Sequence, residues 1–112
     1  MSQKQPTRIL IADDYPIVRA GLAAMLEIDP KANLTVVGQA NKGCEAVELF
    51  AQLQPDIGLI DLQMPQMDGV AAIAAIRKKF STARLIVSIT YIAIMNAQAV
   101  ITALKRGIVT LL

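Results

Sequence analysis

Four short apolar runs, each cut off by a polar or acidic residue, alternate with stretches in which apolar residues recur every three or four positions. Arg8-Ile9-Leu10-Ile11-Ala12 stops at Asp13-Asp14, and its unbroken apolar character suits a strand covered on both faces. Pro16 then stands where a first helical turn accepts it, and Ile17, Val18, Leu22, Met25 and Leu26 repeat at helical spacing up to Asp29-Pro30. Leu34 to Ala40 reads as a second strand, and Ala46, Val47, Leu49, Phe50 and Leu53 as the face of a second helix closed by Pro55. Ile57-Gly58-Leu59-Ile60 leads to Asp61, with Gly58 expected to weaken that strand a little. A turn-rich loop, Met64 to Gly69, precedes a helix over Val70 to Phe80; within it Asp68-Gly69 reads as a turn and helix cap. Leu85 to Ile89 is a fourth strand, Ala93 to Lys105 a fourth helix stopped by Gly107, and Ile108 to Leu112 a fifth strand.

Strands and helices in that alternation imply right-handed crossovers and one parallel sheet with helices on both faces, a doubly wound α/β domain. Its 112 residues suffice for one core, so residues 1–112 form a single domain with no internal repeat or linker. A mean hydropathy of +0.49 requires a membrane span to be considered, and Leu85 to Leu104 carries no charged residue. Ser88, Thr90, Asn96, Gln98 and Thr102 interrupt that run, and its β-branched start gives way to an alanine-rich end, which favours a buried strand followed by a helix. The polar N-terminus offers no secretory signal, so a cytoplasmic location is expected, with no membrane partner.

Composition removes several chemistries. The chain has no histidine, which excludes the commonest zinc ligand and general base, and its one cysteine, Cys44, permits no internal disulfide. Cys44 reads as a helix-face residue without a redox role, and Arg77-Lys78-Lys79 as the solvated end of the third helix. A net charge of +2 is too small to argue for nucleic acid as a direct partner.

In sheets of this kind ligands bind beyond the carboxyl ends of the strands, near the point where strand order reverses. The residues there are Asp13 and Asp14 after the first strand, Asp61 after the third, and Ser88 and Thr90 around the end of the fourth. Gathered carboxylates repel one another unless neutralised, and an all-oxygen set without His or Cys suits a hard cation. Magnesium fits best, since it keeps several waters and takes one or two carboxylates plus phosphate oxygens. Taken alone, Asp13-Asp14 reads equally well as a cap for the first helix, and Ser88 and Thr90 as ordinary strand hydroxyls.

The segments Leu10 to Asp14, Pro55 to Gly69 and Ala103 to Gly107 together resemble the receiver domain of bacterial two-component response regulators. The opening Asp13-Asp14-Tyr15-Pro16-Ile17-Val18-Arg19-Ala20-Gly21-Leu22 is most similar to receivers of the LuxR/FixJ type, which precede a helix-turn-helix output domain. The resemblance implies a flavodoxin-like sheet with strand order 2-1-3-4-5. It further implies that Asp61 takes a phosphoryl group from a sensor histidine kinase to form an aspartyl phosphate. Asp13, Asp14 and Asp61 would hold Mg2+ with the backbone carbonyl of Gln63, and a hydroxyl, assigned to Thr90 with Ser88 as competitor, would relay the event to a transcriptional output. The donor histidine would belong to the kinase, a homodimer would be possible, and DNA would be reached only through an output domain that these residues do not include. Such a protein catalyses its own phosphotransfer and is otherwise not an enzyme.

Three departures from the family pattern stand out. An ungapped count from Asp61 places Ile89 at the switch position, and Tyr91 to Met95 is apolar where receivers are polar or acidic. After Gly107-Ile108-Val109-Thr110-Leu111-Leu112 neither the family's lysine nor its last helix follows, so the sequence reads as a C-terminally truncated receiver. A degenerate receiver acting only as an interaction or dimerisation module is therefore an alternative. A phosphatase with a nucleophilic aspartate would want a second Asp where Gln63 stands, and a nucleotide-binding domain would want a glycine-rich loop where Asp13 to Pro16 stand.

Overall fold

The structure, a computed structural model, describes residues 5–61, 64 and 66–88, with the side chains of residues 87 and 88 excepted. The elements alternate as β1 (Thr7–Ala12), α1 (Pro16–Glu27), β2 (Leu34–Ala40), α2 (Gly43–Leu53), β3 (Ile57–Asp61), α3 (Gly69–Lys79) and β4 (Arg84–Ser88). All the strand pairs are parallel, and the order across the sheet is β2-β1-β3-β4. The chain thus winds outward from β1 to β2, then crosses back to the other side of β1, and the reversal falls between β1 and β3. The expected fifth strand, the fourth helix with its stop at Gly107, and the apolar Tyr91–Met95 segment lie outside the described residues.

The pleat of β1 divides the interior in two. Ile9 and Ile11 point to one face and join Leu22 and Leu26 of α1, with Leu34, Ile57, Leu59 and Ile86. Leu10 and Ala12 point to the other and join Ala46 and Phe50 of α2, Ile76 of α3, Ile60 and Leu85. Continuous apolar strands are what burial on both faces demands. Because Leu85 and Ile86 are fully buried within β4, the start of the uncharged Leu85–Leu104 run belongs to the sheet. No helix among the described residues is long and apolar enough to cross a membrane.

Two details depart from the sequence reading. Ile17 is 87% exposed, because it lies beside, not on, the Val18, Leu22 and Leu26 stripe that packs against the sheet. At Gly58 a Cβ would lie 2.9 Å from Leu85 Cδ2 and 3.4 Å from Phe50 Cε2. The glycine therefore admits close packing of α2 and β4 against β3, which outweighs the loss of strand propensity.

Candidate functional site

Strand register brings the acidic residues together. Ala12 of β1 is level with Ile60 of β3, so one further residue along both parallel strands sets Asp13 beside Asp61. Asp61 in turn is level with Ser88 at the end of β4. Asp13, Asp14 and Asp61 each offer a carboxylate oxygen, and these oxygens all lie within 4.8 Å of one another. The cluster sits at the carboxyl ends of β1 and β3, at the reversal of strand order, where a parallel sheet opens a crevice.

Several bonds hold the turn that presents the pair. The Asp13 amide donates to the Ala40 carbonyl at 3.0 Å, extending the β1–β2 ladder by one step. Its carboxylate Oδ1 accepts from the Tyr15 amide at 2.9 Å, and its carbonyl accepts from the Arg19 guanidinium at 2.7 Å. Asp13 is thereby fixed while only 2% exposed. The helix-cap reading of the pair fails, since the N-cap of α1 is Tyr15, without a side-chain cap. Asp13 and Asp14 instead lie just ahead of that helix, whose positive dipole end favours negative charge by about 0.3–1 kcal/mol per group.

On the β3 side, Asp61 is the last residue of the strand and is 4% exposed. In the segment that follows, Met64 is buried in the α2/α3 core, and Gln66 takes a left-handed backbone with φ of 70°. Asp68 then caps α3, its Oδ1 accepting from the Ala71 amide at 2.8 Å, as the Asp68-Gly69 pair implies. Gln63 and Thr90 lie outside the described residues, as does the Ser88 side chain.

The set of groups fits a hard divalent cation. Two carboxylates about 4 Å apart repel by on the order of 4 kcal/mol at an effective dielectric of about 20, and a cation reverses that sign. Moreover, Asp14 Oδ1 is buried without a hydrogen-bond partner, an arrangement that costs free energy unless a ligand completes it. Three carboxylates gathered at the ends of two strands match the preference of magnesium for few protein ligands.

Arg19 has no signal in the sequence beyond its place in the opening motif. Only the turn of α1 shows that its guanidinium reaches back to the Asp13 carbonyl. Cys44 is half-buried, and its thiol meets Gln66 Oε1 at 3.7 Å.

Known proteins resemble this chain over most of its length. The nitrate/nitrite response regulator protein NarL of Escherichia coli K12 is 37% identical over 107 residues, covering 96% of this chain and 47% of that protein. The transcriptional regulatory protein LiaR of Bacillus subtilis is 42% identical over 85 residues, covering 76% of this chain and 39% of that protein. The chain therefore spans less than half the length of these curated relatives. Among solved structures, a LuxR-family two-component response regulator from an Aurantimonas species superposes with a TM-score of 0.72 at 29% identity, covering 95% of this chain and 71% of that one. The response regulator receiver domain family matches residues 9–112, taking in the β1 and β3 carboxylates and all the elements between and after them, and it is to this family that the chain belongs.

Proposed function

We propose that this chain is the phosphoacceptor of a two-component signalling system, acting in the cytoplasm. A carboxylate oxygen of Asp61 attacks the phosphorus of a phosphohistidine on a sensor histidine kinase. The O–P bond forms as the P–N bond breaks, and the imidazole leaves and takes up a proton, so Asp61 becomes an aspartyl phosphate. Asp13, Asp14 and Asp61, with the Gln63 backbone carbonyl, would hold Mg2+. When bound, that ion neutralises the carboxylates and the phosphoryl oxygens, so that catalysis is chiefly positioning and charge stabilisation. The Asp13 bonds to Ala40, Tyr15 and Arg19 keep one ligand in place before the donor arrives. Thr90 carries the change of charge onward to a transcriptional output in a longer protein, in keeping with the regulatory roles for which NarL and LiaR are named, and the chain can pair as a homodimer.

The observation that carries this reading is the meeting of Asp13, Asp14 and Asp61 within 4.8 Å at the strand-order reversal. Incubation with acetyl phosphate and Mg2+ tests it by intact mass. The expected result is a hydroxylamine-sensitive gain of one phosphoryl group, lost with EDTA and in Asp61→Asn. No gain in the wild-type chain would leave it an interaction module instead.

A further inference from the structure

The first turn of α2 lies against the loop that follows Asp61. At Gly43, the first residue of that helix, an added Cβ would fall 2.7 Å from both the carbonyl carbon and the Cβ of Met67, and closer still to the Met67 carbonyl oxygen. The φ of Gly43 lies outside the left-handed region, so what this position requires is space, not backbone freedom. The next residue continues the contact, with the Cys44 thiol directed to Gln66 Oε1.

We infer that Gly43 is a positioning residue of the acceptor site, the seat on which the β3–α3 loop rests. The inference builds on the phosphoacceptor reading and extends it to an element that bears none of the carboxylates. Asp61 is held by the pairing of β3 at the near end of the loop, and the Asp68 cap of α3 holds the far end. Met64 between them is buried in the core. A methyl group at Gly43 meets backbone atoms of Met67, which cannot rotate away as a side-chain tip can. With the Asp68 cap fixed on the far side of Met67, the displacement is passed back along the loop toward Met64 and Asp61. Groups that orient metal ligands without touching the metal typically change its affinity by about 10–100-fold when disturbed.

The test compares the wild-type chain with Gly43→Ala and Gly38→Ala. Gly38→Ala is the control for stability, since its Cβ would lie 2.6 Å from Leu53 Cδ1, a flexible side-chain tip at the other end of α2 and away from the loop. Mn2+ affinity is measured by electron paramagnetic resonance without any phosphodonor, and the Mg2+ dependence of labelling by acetyl phosphate is measured alongside. Gly43→Ala should bind Mn2+ on the order of tenfold more weakly and need correspondingly more Mg2+ for half-maximal labelling, whereas Gly38→Ala should match wild type in both. If Gly43→Ala does not fold, Gln66→Gly serves in its place, because it removes the oxygen facing Cys44 and suits the left-handed backbone. It too should weaken Mn2+ binding. A wild-type chain that labels while the folded loop variant keeps wild-type affinity overturns this inference alone. Equal weakening in Gly38→Ala also overturns it, and a wild-type chain that fails to label overturns the phosphoacceptor reading and this inference with it.

Discussion

Asp14 is the carboxylate whose cost is easiest to isolate. Its Oδ1 is buried without a hydrogen-bond partner, whereas Asp13 Oδ1 is bonded to the Tyr15 amide. Replacing Asp14 by Asn keeps the shape and removes one of three crowded charges, so the metal-free protein should gain about 1 kcal/mol, which for a domain of this size raises Tm by roughly 4–8 °C. The same substitution should abolish the rise in Tm that Mg2+ gives the wild-type chain. Melting curves in EDTA and in Mg2+ check both halves, and a variant less stable in EDTA would contradict the crowding argument. Arg19→Met removes the donor to the Asp13 carbonyl and should cost about 1 kcal/mol in EDTA, read by urea denaturation. The three acidic residues were legible in the sequence because each directly follows or ends an apolar strand. Arg19 was not, because a contact six residues away depends on the angle at which α1 leaves the β1 turn.

At the level of elements, alternating periods of apolar residues reveal a strand or a helix but not which neighbour fills each gap. The reading of Leu34 to Ala40 as a strand coincides with β2, and the Asp68-Gly69 cap of α3 is where turn chemistry places it. Asp68→Ala should therefore cost about 1 kcal/mol, the usual price of an N-cap, measured by urea denaturation. Gly58 shows the limit. Propensity alone says that alanine would improve β3, yet the added methyl would press on Leu85 Cδ2 and Phe50 Cε2. Gly58→Ala is expected to destabilise by about 1–3 kcal/mol through overpacking, and a gain in stability would mean that Leu85 and Phe50 relax freely. Ile17 fails for another reason: four-residue steps from Val18 through Leu22 to Leu26 form the buried stripe of α1, and Ile17 falls beside it.

For the molecule as a whole, strand order was the part that periodicity could not supply; it came with the family resemblance, and β2-β1-β3-β4 agrees with it as far as the described strands extend. The order matters because β1 and β3 are the two inner strands, and each contributes to both cores, with Ile9 and Ile57 on the α1 side and Leu10 and Ile60 on the other. Carboxylates at the ends of these two strands are thus attached to the most interior part of the fold. A ligand joining them acts on global unfolding, not on a loop that opens by itself. If Mg2+ binds only the folded chain, then at a concentration 100 times its Kd it should add about 2.7 kcal/mol to the unfolding free energy. The urea midpoint should rise while the slope of the transition stays constant, because the surface exposed on unfolding is unchanged. Amide exchange of Leu10, Ile11 and Leu59, deep in the inner strands, should slow by the factor corresponding to that free energy, about a hundredfold. If protection rose only in the loops around Asp14 and Met67, the site would open independently of the sheet, and the coupling through β1 and β3 would be wrong.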